Sequence, residues 1–463
     1  MISRIAEKFE FEKLGTNWVT EIISGVALFL SLSYIFVLNP AIFSKTGIPS
    51  GAVFFATVLA SGLATLAMGL WARLPFALAP GLESNGFFTF VVVLGLGFSW
   101  QEALGLVFWS GVLCLVLTWV PVRKNIIDAI PEGLKTGIST TVGIFVGVIG
   151  LSVTDLVIFK DNLPVAFGDF GSPKAILLYV GFAIALVLGL RRELRGVGGV
   201  RTGVFAPIFP AGMLVAIITA TVLARFLNVP SDTPPAKLDE FFEGVGQLKL
   251  FSVFQDPRAW TVLLVFFMID FYGSIGKFIG LTRSTTLQTG GQVKNMGRAL
   301  YVDGWGTVLG SAVGTSTIIT YVESAVAIGQ GGRTGVVAII CGALMLASLA
   351  FSPLVAFVPI AAVSGVLVYV GWLLLPKKEL VDAIQGKSDR DGSLDWFDFA
   401  IIGAMAIIAG VTFSLDKSML VGFALYTIKE IISERRLPNK YLALSTVALA
   451  IAMGVQYFVF KTH

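Results

Sequence analysis

Five charged side chains lie inside apolar stretches of this sequence, where a charge is expensive. At the centre of a bilayer an Asp, Lys or Arg costs about 2.5–3.5 kcal/mol on insertion scales, so such residues usually have a function or a partner. The residues around them are mainly aliphatic and aromatic. The first candidates for binding and proton-transfer chemistry are therefore Glu83, Asp270, Lys277, Asp303 and Glu323.

Two of the apolar stretches are interrupted by small, polar and helix-breaking residues. Residues 77–86 contain the run Ala-Pro-Gly, and residues 313–324 contain the run Gly-Thr-Ser-Thr. In secondary transporters, paired broken segments in corresponding halves of the chain indicate a binding site near the bilayer midplane. The candidate binding residues at the two breaks are Gly81, Glu83, Asn85, Thr315, Ser316, Thr317 and Glu323.

Each polar residue at the breaks has two interpretations. Glu323 would accept hydrogen bonds from a bound ring, or it would only stabilise the start of the next helix, for which the hydroxyls of residues 315–317 also offer caps. Asn85 offers a donor and an acceptor, which suits the mixed edge of a nucleobase, or it caps a helix. Glu83 lines the same cavity or caps the same break.

Asp270 lies deep in an apolar stretch. A carboxyl group in such a place is suited to taking up and releasing a proton. The alternative is an ion pair with Lys277, which is placed on the same face of the same predicted helix. Lys277 would otherwise neutralise Asp303 or extend to the membrane surface.

Aromatic residues surround Asp270 and the breaks. Phe267 and Phe271 are candidates for stacking on a planar base, a contact worth about 1–3 kcal/mol in nucleic-acid sites. Any single aromatic residue in such a segment is more often packed in the core or exposed to lipid. The other aromatic residues near the breaks are Tyr34, Phe87, Phe88 and Tyr272.

The residue content restricts how protons could be carried. His463 is the only histidine, so carboxyl groups must do this work, and Asp270, Glu83 and Glu323 are the candidates. The sequence has no phosphate-binding Gly-x-x-x-x-Gly-Lys-[Ser/Thr] loop and no His-Glu-x-x-His motif. We therefore expect no cofactor, no metal and no catalytic site. Cys114 and Cys341 lie in apolar stretches and are expected to be packing residues.

The composition places these residues in a membrane. Of the 463 residues, 56% are hydrophobic and 13% are charged, and the mean hydropathy is +0.86. Soluble domains are about a quarter charged. Because backbone groups in lipid must be satisfied within their own segment, the sequence predicts an all-α polytopic membrane protein with about fourteen crossings. The net charge of +4 reflects topology and gives no indication of nucleic acid.

The distribution of Lys and Arg predicts the orientation and the boundaries. With a cytoplasmic N-terminus, the turns predicted to be inside carry residues such as Arg73 and Arg123, whereas acidic residues dominate outside. The predicted division is a cytoplasmic segment at 1–17, a first repeat at 18–227, an extracellular loop at 228–258 and a second repeat at 259–460. The expected location is the cell (inner or plasma) membrane, crossed many times.

An internal repeat supports the two halves. A proline and two glycines recur with the same spacing at the start of an apolar stretch in each half, downstream of the broken segment. One such match arises easily by chance, but the two broken segments strengthen it. The repeated residues are Pro131, Gly137 and Gly143, and Pro359, Gly365 and Gly371.

Several motifs resemble those of the AzgA-like purine permeases, in the same order along the chain. They are Glu-Ile-Ile-Ser-Gly at 21–25, Leu-Pro-Phe-Ala-Leu-Ala-Pro-Gly at 74–81, Phe-Met-Ile-Asp at 267–270, Gly-Thr-Ser-Thr…Glu-Ser at 314–324, Gly-Gly-Arg-Thr-Gly at 331–335 and Thr-Phe-Ser-Leu-Asp at 412–416. This family belongs to the nucleobase–cation symporters with the UraA-like fold. The resemblance implies about fourteen helices in two inverted repeats of about seven. It also implies a core domain (spans 1–4 and 8–11), a gate domain (spans 5–7 and 12–14), and extended segments in the third and tenth spans that meet.

The resemblance also implies a function. Such permeases import adenine, guanine or hypoxanthine with protons by alternating access, and Asn85, Asp270 and Glu323 fall on their substrate-site positions. Gly273 stands where the family usually has a second acid, and Glu83 stands where it has a small residue, so the preferred purine and the coupling ion stay open. The alternatives are a uracil- or xanthine-type symporter and an anion transporter or channel on the same fold, which would have basic residues at the breaks. A homodimer is left open as the assembly.

Overall fold

The computed structural model is predominantly helical and describes most of the chain. The predicted last crossing, at 441–460, falls mostly outside the described residues, and so do most of the predicted turns at 121–135 and 191–203 and the start of the predicted span at 204–227. The described residues are 6–119, 131–160, 163–195, 212–230, 237, 239–282, 287–289, 292–321, 323–350, 357–373, 375, 394–412, 415–432, 439, 442–444, 446–447 and 450.

Helices form nearly all of the regular structure, and short strands form three antiparallel pairs in the described residues. The helices are α1 (Phe11–Leu14), α2 (Trp18–Leu32), α3 (Ile35–Phe43), α4 (Ser50–Ala67), α5 (Leu82–Gly86), α6 (Trp100–Trp119), α7 (Glu132–Val153), α8 (Pro173–Arg195), α9 (Gly212–Phe226), α10 (Arg258–Thr282), α11 (Met296–Val313), α12 (Ser324–Gly329), α13 (Gly335–Ala347), α14 (Ile360–Leu373), α15 (Trp396–Thr412) and α16 (Leu415–Ile432). The strands are β1 (Leu78–Pro80) paired with β6 (Ile318–Thr320), β2 (Val157–Lys160) with β3 (Leu163–Phe167), and β4 (Gln288–Thr289) with β5 (Gln292–Val293).

Several helical runs have the length and apolar character of a membrane crossing. Among the described residues four reach the full length, namely Trp18–Thr46, Ser50–Ala72, Trp100–Trp119 and Thr136–Val153. Shorter apolar helices cover Leu82–Val93, Pro173–Leu188, Val215–Phe226, Gly335–Ala350, Ile360–Trp372 and Trp396–Thr412. Broken helices are expected to be short, and the count of about fourteen crossings stays a prediction.

The two interrupted segments adopt extended backbone and meet in the interior. Leu78 lies opposite Thr320 and Pro80 lies opposite Ile318 in the antiparallel pair β1–β6, and both strands are fully buried. Proline cannot donate to a helix ladder, so the Ala-Pro-Gly run ends one segment and allows α5 to start afresh. The expected meeting of the two extended segments is confirmed.

The glycines of the internal repeat lie where helices cross closely. A Cβ atom on Gly371 of α14 would stand 2.5 Å from the carbonyl oxygen of Gly143 on α7. A Cβ atom on Gly365 would stand 2.4 Å from the backbone nitrogen of Phe182 on α8. Small residues let membrane helices approach to backbone contact, so these positions are set by packing.

The helices form two groups around these contacts. Near the β1–β6 pair, α4 packs against α13 and α11, and α6 packs against α11 and α10. In the other group, α14 packs against α7 and α8, and α15 packs against α7 and α16. Fewer contacts connect the groups, among them those of α5 and α10 with α7.

The segment between α9 and α10 folds back on the first group. The Lys249 backbone N–H donates to the carbonyl oxygen of Gln101 at 2.9 Å, and the Gly51 N–H donates to the Glu240 carboxylate at 3.1 Å. This part of the predicted extracellular loop is therefore held against the ends of α4 and α6.

Candidate functional site

The candidate site is built around the backbone hydrogen bonds of β1 and β6. The Gly81 N–H donates to the Thr317 carbonyl, and the Tyr321 N–H donates to the Ala77 carbonyl, each at 3.0 Å. In an antiparallel ladder, bonded and non-bonded pairs alternate. The pairs Leu78–Thr320 and Pro80–Ile318 are therefore of the non-bonded kind, and their backbone groups point away from the partner strand.

Two threonine hydroxyls satisfy these outward backbone groups. The hydroxyl of Thr65 on α4 accepts from the Leu78 N–H at 2.9 Å and lies 3.1 Å from the Leu78 carbonyl oxygen. The hydroxyl of Thr307 on α11 accepts from the Ile318 N–H at 3.1 Å and lies 3.3 Å from the Ile318 carbonyl oxygen. Buried backbone groups require such partners. Each strand is therefore held at its first residue by a threonine hydroxyl, Thr65 for β1 and Thr307 for β6, in the same geometry.

Hydroxyls at the second break reach across to residues of the first half. Ser316 donates to the side-chain oxygen of Asn85, and Thr317 donates to the Ser84 hydroxyl at 2.5 Å. The side-chain nitrogen of Asn39 donates to Thr315 at 3.0 Å. For Ser316 and Thr317, the interpretation as caps of the following helix is therefore replaced by contacts to the opposite break, and for Thr315 by a contact to α3. Their role in substrate binding stays a prediction.

Asn85 has the clearest available hydrogen-bond donor at the breaks. The side chain is fully buried, and its oxygen is taken by Ser316. Its nitrogen has no hydrogen-bond partner among the described residues. Since an amide nitrogen carries two donors and a buried donor left unpaired is costly, this group is suited to a ligand acceptor.

Glu323 is buried at the start of α12, but its side chain does not cap that helix. Instead, the hydroxyl of Tyr34, which lies between α2 and α3, donates to Glu323 Oε1 at 3.0 Å. A carboxylate has two oxygens with about four acceptor positions, and the tyrosine fixes the direction of this one. The nearby Tyr321 hydroxyl donates to the Pro80 carbonyl and holds the chain between β6 and Glu323.

Glu83 and Lys277 form an ion pair between α5 and α10. The Lys277 Nζ atom donates to Glu83 Oε1 at 2.9 Å, and the two side chains are only 9% and 14% exposed. The expected pairing of Lys277 with Asp270 or Asp303 is therefore replaced by one with Glu83. Asp270 and Lys277 are seven residues apart, which corresponds to about 10 Å of rise along a helix. Lys277 therefore pairs with an acid on a neighbouring helix.

Gly273 lies beside this ion pair. A Cβ atom there would be 3.9 Å from Glu83 Oε1, with no other contact to a described residue within 4 Å. The position is half-buried although it lies mid-way along α10. Glu83 thus places a carboxylate close to the position where the resembling family usually carries its second acid.

Asp270 is fully buried in a second polar cluster on the other side of β6. Thr307 donates to Asp270 Oδ2 at 2.8 Å, and the Cys114 thiol lies 3.8 Å from the same oxygen. Asp303 of α11 provides a second carboxyl group next to Asp270. Cys114 therefore has a polar contact in addition to the expected packing.

The aromatic residues near the site pack chiefly on one another. Phe267 and Phe271 stack with ring centroids 5.2 Å apart, and Phe87 packs edge-on against Phe266 at 5.0 Å. Contact of these rings with a base stays a prediction. The side chain of Tyr272 lies outside the described residues.

Most of the chain matches a known protein family. Residues 19–376 match the family described as Permease family, Xan_ur_permease. The chain belongs to this family. It is 32% identical to the adenine permease AdeQ of Escherichia coli K12, over 93% of this chain and 91% of that protein. It is 33% identical to the guanine/hypoxanthine permease PbuG of Bacillus subtilis 168, over 91% and 92%.

The fold is also that of solved transporter domains. The transmembrane domain of the cyanobacterial bicarbonate transporter BicA superposes with a TM-score of 0.60 at 16% identity, over 87% of this chain and 96% of that domain. At this identity the likeness shows the fold alone. This permease is therefore a multi-pass membrane protein with the helical architecture of such transporter domains.

Sequence reasoning missed several residues that shape the site of this permease. Thr65 and Thr307 clamp the strands, Asn39 and Ser84 bind the hydroxyls of the second break, and the Ser324 hydroxyl accepts from the Ala77 N–H at 3.1 Å. A signal existed for Thr307, which lies one helical turn after Asp303 and so shares its helix face. The other contacts join residues far apart in sequence and leave no local pattern.

Proposed function

We propose that this permease imports purine nucleobases together with protons by alternating access. Relatives of nearly full length are named adenine and guanine/hypoxanthine permeases. The observation that carries the proposal is the β1–β6 pairing, which places Asn85, Glu323 and the Asp270 cluster around one buried junction. Broken segments at a repeat interface are where secondary transporters bind substrate and coupling ion.

The base would be held by one donor and one acceptor. The side-chain nitrogen of Asn85 donates to a ring nitrogen, and the carboxylate of Glu323 accepts from a ring N–H. Purines carry both kinds of group on their edges. A site that hydrogen-bonds its substrate rejects analogues without those groups by large factors, because its own buried groups are then left unpaired.

Glu323 is oriented before the base arrives by the hydroxyl of Tyr34, which lowers the cost of ordering on binding. Gly81, Ser316 and Thr317 would form the frame of the site through their contacts between the breaks, and Thr315 through its contact with Asn39 of α3. Phe267 and Phe271 already stack on each other, and the base would extend that stack.

Asp270 is the proposed proton carrier. It is fully buried, and Asp303 provides a second carboxyl group next to it. Two neighbouring carboxylates cannot both be ionised cheaply in a buried site, so such a pair is suited to holding a proton. Glu83 already has a cationic partner in Lys277, which makes it the weaker candidate. Glu323 would be occupied by the base.

The movement would take place between two rigid groups of helices. The core would comprise spans 1–4 and 8–11, and the gate would comprise spans 5–7 and 12–14, in about fourteen crossings with a cytoplasmic N-terminus. Support comes from the matching threonine clamps of the two halves, on α4 and on α11. The half-helix α5 also meets α7 at Gly86, where a Cβ atom would be 2.4 Å from Ile149.

Anion transport is the alternative on this fold. It would call for cations at the breaks, but the described charges there are Glu83, Asp270, Asp303 and Glu323, with Lys277 already in an ion pair. Uptake of uracil or xanthine differs only in which polar groups the base presents. Competition between bases separates these possibilities.

The test uses purified permease in proteoliposomes. Uptake of tritiated hypoxanthine and adenine is measured under an imposed proton gradient, with unlabelled guanine, xanthine, uracil or bicarbonate as competitors. We expect purines to compete, and a protonophore to abolish accumulation whether or not sodium is present. Competition by uracil or bicarbonate alone would refute the purine assignment, and accumulation that needs sodium but survives the protonophore would refute proton coupling.

A further inference from the structure

Thr307 contacts both the proposed proton carrier and the backbone of the substrate-binding break. Its oxygen lies 2.8 Å from Asp270 Oδ2, 3.1 Å from the Ile318 nitrogen and 3.3 Å from the Ile318 carbonyl oxygen. All of these groups are buried. Water therefore has little access to replace any of these hydrogen bonds. Which of them form at one time depends on the hydrogens that Thr307, Asp270 and Ile318 themselves carry.

A threonine hydroxyl has one hydrogen to donate and two lone pairs to accept with. Thr307 always accepts from the Ile318 N–H, but it cannot donate to Asp270 and to the Ile318 carbonyl at the same time. When Asp270 is ionised, it has no hydrogen, and its charged oxygen is the stronger acceptor for the hydrogen of Thr307. When Asp270 is protonated, its own O–H can donate to Thr307, and the threonine hydrogen is then available for the Ile318 carbonyl.

We propose that Thr307 is the positioning residue that couples protonation of Asp270 to strand β6, by giving its single hydroxyl hydrogen either to Asp270 or to Ile318. This inference rests on the proton coupling proposed above and names the group that transmits it. No proton passes through Thr307. One proton enters or leaves Asp270, and the threonine hydroxyl rotates between two acceptors.

The strand end that Thr307 controls is close to the proposed base site. Ile318 directly follows Ser316 and Thr317, which bind Asn85 and Ser84 across the junction. Glu323 follows β6 through Tyr321, whose hydroxyl is held by the Pro80 carbonyl. A second bond to Ile318 would thus fix the frame that presents both Asn85 and Glu323, so that protonation prepares the site for the base.

The other half of the molecule provides a natural comparison. Thr65 makes the same two contacts to Leu78, at 2.9 and 3.1 Å, and both threonines bracket the first residue of their strand. The hydrogen bonds described for Thr65 are to Leu78 alone, whereas Thr307 also donates to Asp270. Both halves therefore share the threonine contact with the strand. Only the contact with Asp270 distinguishes Thr307 from Thr65.

The titratable groups around Asp270 come from several elements. Cys114 on α6 contacts it directly, and Asp303 on α11 is a neighbouring acid. Other described elements also pack on α10. The α5 helix contributes Glu83, which is neutralised by Lys277 of α10. Glu323 lies at the start of α12. The α16 helix contributes Lys429, whose ammonium group is held by Asp395 and Asp398. Thr307 thus responds to the Asp270–Asp303 pair, with Cys114 as an additional donor to the same oxygen.

The experiment compares three variants with the wild type in proteoliposomes. Thr307→Val removes the hydroxyl at nearly constant shape, Thr307→Ser keeps it, and Thr65→Val removes the matching clamp that has no acid. For each, the accumulation of tritiated hypoxanthine driven by a proton gradient is divided by its rate of base-for-base exchange without a gradient. This ratio separates coupling from binding.

We expect Thr307→Val to lower the ratio at least about fivefold, the lower end of typical coupling between two sites. Thr307→Ser should keep a ratio within about twofold of the wild type, since a change below that is small beside typical coupling. Thr65→Val should lower accumulation and exchange together, because it leaves the Leu78 backbone groups unpaired, and its ratio should stay within the same twofold. A wild-type ratio in Thr307→Val, or an equal loss of the ratio in Thr65→Val, would overturn the role of Thr307. Wild-type uptake that ignores the proton gradient would instead reject the proposed coupling itself.

A second measurement needs no variant and holds even if Thr307→Val fails to fold. Hydrogen exchange of the wild-type protein is followed at pH 5.5 and pH 7.5 and corrected for intrinsic exchange. We expect peptides around Ile318 to be better protected at the lower pH, and those around Leu78 to be unchanged. Equal behaviour of the two strands would contradict the inference.

Discussion

The ion pair between Glu83 and Lys277 permits a quantitative test of the site. Its atoms are 2.9 Å apart, and its side chains are 9% and 14% exposed. Removing one partner of a buried pair leaves an uncompensated charge and typically costs about 3–5 kcal/mol. We therefore expect Glu83→Gln and Lys277→Met to be strongly destabilising as single changes, and the double variant to be more stable than either.

The magnitude can be followed by thermal unfolding in detergent, using tryptophan fluorescence. The unfolding entropy of a chain of this length makes 1 kcal/mol worth about 1 °C in Tm, so each single variant should lose roughly 3–5 °C. The matched control is Lys174, which pairs with Asp155 at 2.8 Å with side chains 40% and 66% exposed. Because exposed pairs contribute about 0–1 kcal/mol, Lys174→Met should change Tm by about 1 °C or less.

The double variant also distinguishes the two candidate proton carriers. If Asp270 carries the proton, Glu83→Gln combined with Lys277→Met should retain the wild-type ratio of gradient-driven accumulation to exchange. Additive losses of stability in the double variant would refute the ion pair as described. Loss of accumulation with preserved exchange in that variant would instead identify Glu83 as the proton carrier.

Three further predictions concern single groups. Glu323→Gln should abolish purine binding in calorimetry while the protein still elutes as a folded species, and unchanged affinity would remove Glu323 from the site. Asp270→Asn should lose accumulation against a gradient yet keep base-for-base counterflow, and normal accumulation would exclude it as the carrier. The hydrogen bond from Lys294 holds the pKa of Glu10 below its ordinary value of 4.5. This hydrogen bond therefore stabilises the docking of the N-terminal segment above pH 4.5. The stabilisation is lost as the pH falls through the lowered pKa of Glu10. Proteolysis of the segment should accelerate under acid in the wild type and be independent of pH in Glu10→Gln.

The sequence was most informative where the physics is local. The charges in apolar stretches indicate a functional site, and the helix-breaking Pro80 and Gly81 indicate an interrupted helix, from their immediate neighbours alone. These features predicted a membrane protein with two interrupted segments, and the structure places those segments against each other. The family resemblance added the substrate class, which the names of the relatives support.

The tertiary structure decided which groups are partners. Lys277 pairs with Glu83 and not with an acid of its own helix, and the hydroxyls of Ser316 and Thr317 bind the opposite break. Spacing along one helix fixes only which face a side chain occupies. Which neighbour lies opposite that face depends on how distant helices pack.

The amino-acid sequence by itself thus determined that the chain enters a bilayer, where its helices must break and which side chains are too costly to be there without a use. These follow from the desolvation of backbone and charge, which each segment meets on its own. Only the folded molecule decided that one threonine hydroxyl lies between Asp270 and Ile318. A hydrogen bond acts over about 3 Å, and no pattern along the sequence specifies a distance of that scale between separate helices.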